Sequence, residues 1–137
     1  MKSIFYILIT MLLSACAATP YQAENKLQLT RGYGEKNVNV SLTKVHFTAN
    51  GSTPDEQIKE YVLLRAAEIG KQRNKSYFAV YKDLADAADD RKSDPCISKE
   101  LRYVPVGYAY ILYSNSRLSG YLSVAEVLKR YNKYMER

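Results

Sequence analysis

A few residues of the 137-residue chain have a side-chain type or spacing that bears on chemistry. Arg65 sits in the middle of an apolar helical stripe, where a guanidinium needs a partner. Either it lays its stem on the core and reaches an acid such as Glu68 or one from residues 83–100, or it holds an anion at the mouth of a groove. The first reading is favoured, because one arginine without a second convergent cation rarely makes an anion site. His46 lies between Val45 and Phe47 and shares parity with Lys44, which turns it to solvent; a lone histidine with no second ligand is weak evidence for a metal or for catalysis. Cys96 follows the turn residues Ser93-Asp94-Pro95. Arg91, Lys92 and Lys99 nearby would favour a reactive thiolate in an exposed setting, whereas a partly buried cysteine would only anchor a loop, and the second is favoured. The acids Asp83, Asp86, Asp89 and Asp90 lack the glycine and the closing glutamate of a calcium loop, so no metal is expected there. Thirteen tyrosines and no tryptophan are present, with Tyr103, Tyr108, Tyr110 and Tyr113 close together. Alternation puts Val104, Val106, Tyr108, Tyr110 and Leu112 on one face of a strand. Tyr103 and Tyr113 then share the other face, where a partner peptide or glycan could stack, although packing is the commoner use of such aromatics. No catalytic residue and no cofactor is expected.

The amino terminus carries the most specific signal. Lys2 supplies a positive charge, and Ile4 to Leu13 is an apolar run broken only by Thr10. Spanning a bilayer takes about 20 apolar residues, so this run has the length of a signal-peptide core instead. Leu13-Ser14-Ala15-Cys16 then resembles the lipobox of bacterial lipoproteins, in which the thiol receives diacylglycerol, the leader is cut before the cysteine, and the new amine is acylated. An ordinary secretory cleavage site beside a cysteine is the weaker alternative. One acyl chain contributes about 0.8 kcal/mol per buried methylene and holds only marginally; two or three chains anchor stably. A sorting rule known in Gram-negative bacteria retains lipoproteins with Asp after the acylated cysteine at the inner membrane. Ala17 is not Asp, so the resemblance implies the outer membrane, with the body facing the periplasm. Cys96 is then the one remaining thiol in an oxidising compartment.

The elements that must position these residues follow from periodicity. Residues 17–35 have no sustained period and carry Pro20, Gly32 and Gly34, which reads as a tether. Lys36–Thr48 alternates but changes parity near Thr43-Lys44, as one strand with a bulge would. Thr53-Pro54-Asp55-Glu56 is a capping-box pattern opening a helix with Ile58, Tyr61, Val62, Arg65, Ala66 and Ile69 on one stripe, ended by Gly70 to Asn74. Ser76–Tyr81 is a second strand, making a strand–helix–strand crossover. Residues 83–100 form a long loop with a helical turn at Leu84–Ala88. Leu101–Tyr113 is a third strand, bent and at an edge near Pro105. Ser123-Val124-Ala125-Glu126 opens a terminal amphipathic helix. The expectation is α+β: a small three-stranded sheet (β-α-β, then a long loop, β, α) with two helices packed on it. It divides into a signal peptide over 1–15, the lipidated Cys16 and a flexible tether over 16–35, and one domain over 36–137.

Composition limits the function classes. The chain is 47% hydrophobic and 25% charged with a net charge of +6, a globular mixture of one-domain size. Loss of the leader leaves 19 basic and 14 acidic residues, net +5. Lys129, Arg130, Lys133 and Arg137 make the last helix basic, which reads as a solvated face or one lying near anionic envelope groups; nucleic acid is a poor fit for an exported chain. Together, Cys16-Ala17-Ala18-Thr19-Pro20-Tyr21-Gln22, Phe47 with Asn50-Gly51 and Thr53, Tyr61-Val62-Leu63-Leu64-Arg65-Ala66-Ala67-Glu68 and Tyr77-Phe78 resemble a family of small uncharacterised proteobacterial lipoproteins with a Cys-Ala-Thr-Pro-Tyr-Gln start and a Leu-Leu-x-Arg-Ala-Ala-Glu helix. The resemblance covers residues 16 to about 82. The chain departs from it by an extra Ala after Cys16 and by Gly51-Ser52-Thr53 where the family has an aromatic. It implies a lipid anchor and carries over no catalytic residue. The expectation is therefore a lipid-anchored envelope protein acting as a non-enzymatic interaction module toward a periplasmic or outer-membrane partner. The alternatives are a small-ligand or glycan/anion binder on the tyrosine-rich strand and, less favoured, an enzyme using Cys96 or His46. The candidate site residues are Cys16 for lipidation and Arg65, Tyr103 and Tyr113 for binding.

Overall fold

A computed structural model describes residues 17–25, 31–101 and 104–136, with the side chains of residues 100 and 101 excepted. Among the described residues it is an α+β protein with six strands: β1 Gly32–Asn37, β2 Leu42–Thr48, β3 Tyr77–Tyr81, β4 Cys96–Leu101, β5 Val104–Ser114 and β6 Leu122–Ser123. Three α-helices accompany them, α1 Asp55–Gln72, α2 Leu84–Ala88 and α3 Val124–Arg130, with a 3₁₀ turn at Asn132–Tyr134. The order across the sheet is β1-β2-β5-β3-β6, β4 lies beside the first half of β5, and every pairing between these strands is antiparallel.

The sheet is larger than the expected three strands for identifiable reasons. The parity change between Lys36 and Thr48 is a reversal of direction and not a bulge. Asn39 Oδ1 accepts the backbone N–H groups of Ser41 and Leu42, both at 2.8 Å, and closes a hairpin between β1 and β2. Such an Asx interaction lets a short side chain take the place of a backbone partner. Val38 and Val40, which continued the strand pattern, lie exposed in that turn. The long loop does contain the helical turn at Leu84–Ala88, capped by Asp83, but it goes on into β4. β5 is central, and Pro105 is tolerated because the β4 register shifts between Ser98 and Leu101, opposite the position where a donor is missing.

β2 and β3 are both antiparallel to β5, so they run parallel to each other with β5 inserted between them, and α1 is the crossover. One face of α1 brings Ile58, Val62, Ala66 and Ile69 onto Val45, Phe47, Phe78, Val80, Ala109 and Ile111, all buried. The helix can come this close because of Gly107: a Cβ there would lie 2.4 Å from Ile58 Cγ2 and 3.1 Å from Val62 Cγ2. The capping box at Thr53 does not form. Pro54 is the cap residue with no side-chain bond to the helix, and Thr53 is turned to the amino-terminal segment instead. The helix ends two residues beyond Gly70, in a Schellman motif with Lys75 N–H on Gly70 O at 2.8 Å, Asn74 N–H on Lys71 O at 3.1 Å, and Asn74 in the left-handed region. Gly70 itself is buried against Tyr113 and Val124. α3 is capped as expected, Glu126 N–H on Ser123 Oγ, but it is short and passes into the 3₁₀ turn.

The tether reading also gives way. Residues 31–37 enter the sheet through β1, and residues 17–25 pack on the body. Thr19 is buried: its N–H donates to Thr53 Oγ1 at 2.8 Å, its Oγ1 accepts Asn50 N–H at 2.8 Å, and its carbonyl accepts the Tyr61 hydroxyl at 3.2 Å. Asn50 Nδ2 donates to Ala17 O at 2.7 Å. The Tyr21 ring lies among those of Tyr33, Phe47 and Tyr61, with centroids 4.9, 6.3 and 5.4 Å away.

Candidate functional site

Strand register sorts the side chains onto two faces, because alternate residues point opposite ways. Cross-strand partners on the α1 side run Tyr33–Phe47–Gly107–Ile97, then Glu35–Val45–Ala109, then Asn37–Thr43–Ile111–Val80. On the other side the rows are Thr48–Val106–Ser98, Gly34–His46–Tyr108–Cys96 and Lys36–Lys44–Tyr110–Tyr81. Of the first set, Val45, Phe47, Ala109, Ile111 and Val80 are core. Lys36, Lys44, His46, Ser98, Val106, Tyr108 and Tyr110 of the second set line a groove of about 750 Å³, with Glu35 at its side and Lys82 and Asp83 from the start of the β3–β4 connection in its wall.

This second face gathers most of the chemistry. Lys44 Nζ lies 5.1 Å from the Tyr108 ring centroid and 5.5 Å from that of Tyr110, a cation held over two aromatic faces. Lys36 stands directly across from Lys44 on the neighbouring strand, and like charges in that relation repel. The acids at the rim are committed elsewhere. Glu24 Oε2 takes Thr48 Oγ1 at 3.0 Å and lies 3.2 Å from His46 Nε2; Asp83 caps α2; Glu35 turns to Arg65. The His46 ring rests over Gly34, where a Cβ would fall 2.5 Å from its Cε1. His46 and Cys96 are both partners of Tyr108, one on each side, so they are two strand spacings apart, about 10 Å between backbones. A nucleophile and its base work within about 3 Å. The cations expected to activate Cys96 hold carboxylates: Arg91 with Asp86 and Asp89, Lys92 with Asp90, and Lys99 with Asp55.

The sequence-selected residues fall elsewhere. Tyr103 and Cys16 lie outside the described residues. Tyr113 is on the side that α1 covers, which reverses the expectation that its face is the open one. Its hydroxyl donates to Ala66 O at 2.7 Å, and burial pushes its ionisation well above the usual phenol range. Arg65 has a side chain only 11% exposed, stacked 4.3 Å from the Tyr33 ring centroid. Its NH2 and Nε donate to the two oxygens of Glu35 at 2.7 and 3.2 Å, and Glu68 Oε2 lies 3.7 Å from NH1. Glu68 is thus one of the expected partners, while the stronger one stands on a strand that had been read as tether. Glu68 also accepts the Tyr21 hydroxyl, and burial raises its carboxyl to about 7. It borders a second groove with Lys71, Gln72, Leu128, Lys129, Asn132 and Met135.

Alternation along the sequence places Tyr108 and Tyr110 on one face and reads that face as packing. The signal that identifies it is the lysine and histidine parity of β2 combined with antiparallel pairing to β5, and that pairing is a tertiary fact. No group of three or more histidine, cysteine or acidic side chains among the described residues is placed to hold a metal ion, and no described helix is long and apolar enough to cross a membrane. No protein-family model, no curated protein and no solved structure matches the chain.

Proposed function

We propose that the chain is a lipid-anchored protein of the bacterial cell envelope, acylated on Cys16, held at the outer membrane with its body in the periplasm, and acting there as a binding module and not as an enzyme. The leader and the Leu13-Ser14-Ala15-Cys16 sequence support the anchor, as does the resemblance to small proteobacterial lipoproteins. The docked segment supports a close attachment: Ala17, the next residue after Cys16, is bonded to Asn50. Ala17 thus lies where β2 ends and β5 begins, and the β1–β2 turn stands about 20 Å further along the strands.

The observation that carries the binding reading is the open sheet face with Lys36, Lys44, Tyr108 and Tyr110, whose positive charges face no uncommitted acid. Charge complementarity selects an anionic envelope component as its partner. The separation of His46 from Cys96 favours binding over chemistry. Metabolic labelling with an alkyne fatty acid is expected to mark the wild-type protein and not Cys16→Ser. A photo-crosslinking residue at position 108 is expected to capture envelope material in cells, while one at the exposed position 129 does not. An unlabelled wild type removes the anchor, and equal capture from both positions removes the open face as the binding surface.

A further inference from the structure

We infer that the open sheet face is a site for an anionic saccharide, a sugar ring carrying a carboxylate or a phosphate, with its ring against Tyr108 and Tyr110 and its charge between Lys36 and Lys44. This inference rests on the reading of that face as the working surface and specifies its ligand. Three observations converge on it. The first is size: a groove of about 750 Å³ falls in the range of small-ligand sites. A folded protein partner would need roughly 800 Å² of contact from each side.

The second is charge. Lys36 and Lys44 face each other across β1 and β2, an arrangement that costs stability unless an anion lies between them. The acids that could neutralise them are engaged, Glu24 by His46 and Thr48, Asp83 by the Asp86 N–H, and Glu35 by Arg65. Lys82 at the wall is 3.7 Å from Asp86, which leaves the Lys36–Lys44 pair as the cationic centre of the groove. The third is surface type. Tyr108 and Tyr110 are two residues apart on one strand, so their side chains leave the same sheet face about 7 Å apart, a spacing on the scale of a sugar ring. Lys44 rests on both rings and can swing from them to an arriving anion with a short movement of its flexible stem. Ser98, in the row with Val106, adds a hydroxyl group at the groove's end.

The test is a titration of the full-length protein in detergent, followed by calorimetry and by amide NMR shifts, with glucuronate and glucose 6-phosphate as probes. Glucose and inorganic phosphate serve as the neutral and sugar-free controls. Saturable binding of both probes, at least roughly tenfold tighter than either control and weakened by added salt, is the expected result. The shifts should concentrate on β2 and β5. Lys36→Gln with Lys44→Gln, both on accessible positions, should lose roughly tenfold or more in affinity, as should Tyr110→Leu, while Lys129→Gln stays unchanged. Absence of saturable binding overturns the inference. So does glucose binding as well as the charged sugars, or phosphate alone binding as tightly, which would leave a simple anion site. Acyl labelling at Cys16 and crosslinking from position 108 in cells are read separately, so a failed titration with intact crosslinking rejects the saccharide and leaves the binding module.

Discussion

Glu68 is the residue at which solvent exposure, charge and tertiary position act against one another. Its carboxyl ionises at about 7 in the folded chain because burial disfavours the charged form, against 4.5 for the ordinary group. Folding therefore favours the protonated acid. The stability this confers is present below about pH 4.5 and is lost as the pH rises through about 7. Glu68→Gln keeps an acceptor for the Tyr21 hydroxyl and removes the titration. At pH 8 the variant is expected to be more stable than the wild type by about 1–2 kcal/mol, a figure reduced for partial exposure, and equal to it near pH 4. Urea melts at the two pH values check this, and a variant less stable than the wild type at pH 8 would show that the acid is stabilised in its ionised form. Arg65 teaches a related lesson. Its position in an apolar stripe announced a need for a partner, but sequence spacing pointed only to the neighbour at i+3. The fork-shaped pairing with Glu35 comes from a strand across the sheet.

At the scale of elements, the packing of α1 on β5 depends on the absence of a side chain at position 107. Gly107→Ala puts a methyl carbon onto Ile58 Cγ2 and is expected to cost about 1–3 kcal/mol. Ile58→Ala alone creates a cavity and costs about 2–5 kcal/mol. The double variant should fall short of the sum of the two, because the new methyl occupies part of the space vacated; strict additivity in denaturant melts would place Gly107 outside the helix contact. The β1–β2 hairpin has its own small test. Asn39→Ala removes the two hydrogen bonds that its side-chain oxygen accepts in the turn and is expected to lose about 1 kcal/mol, with faster amide exchange at Ser41 and Leu42. Sequence periodicity located α1, α2, β3 and most of β5, because each repeats a local pattern for at least a turn or several residues. It merged β1 with β2, since an alternation broken by a turn and one broken by a bulge look alike until the partner strand is known. β4 was missed because its residues, Cys-Ile-Ser-Lys-Glu-Leu, show only weak alternation and gain their strand conformation by pairing with β5.

For the whole molecule, residues 17–25 and β1 are part of the body. A chain starting at residue 36 lacks most of β1, the buried Thr19 and the Tyr21 ring over Phe47 and Tyr61, and is expected to melt without a cooperative transition. A chain starting at residue 17 should unfold cooperatively, and the single change Tyr21→Ala should lower its stability by about 2–4 kcal/mol. Calorimetry on the three chains decides whether the domain begins at residue 36 or at residue 17. The sequence alone was enough for the α+β class and the helix positions, which are written in residues adjacent along the chain. The faces of the sheet were decided only by the tertiary structure. Parity says that Tyr108 and Tyr113 point opposite ways, but α1 can cover only one side, and it covers the side where Gly107 and Ala109 make room. That choice half-buries Tyr113 against α1, leaves Tyr108 and Tyr110 beside Lys36 and Lys44, and depends on contacts between residues some fifty positions apart.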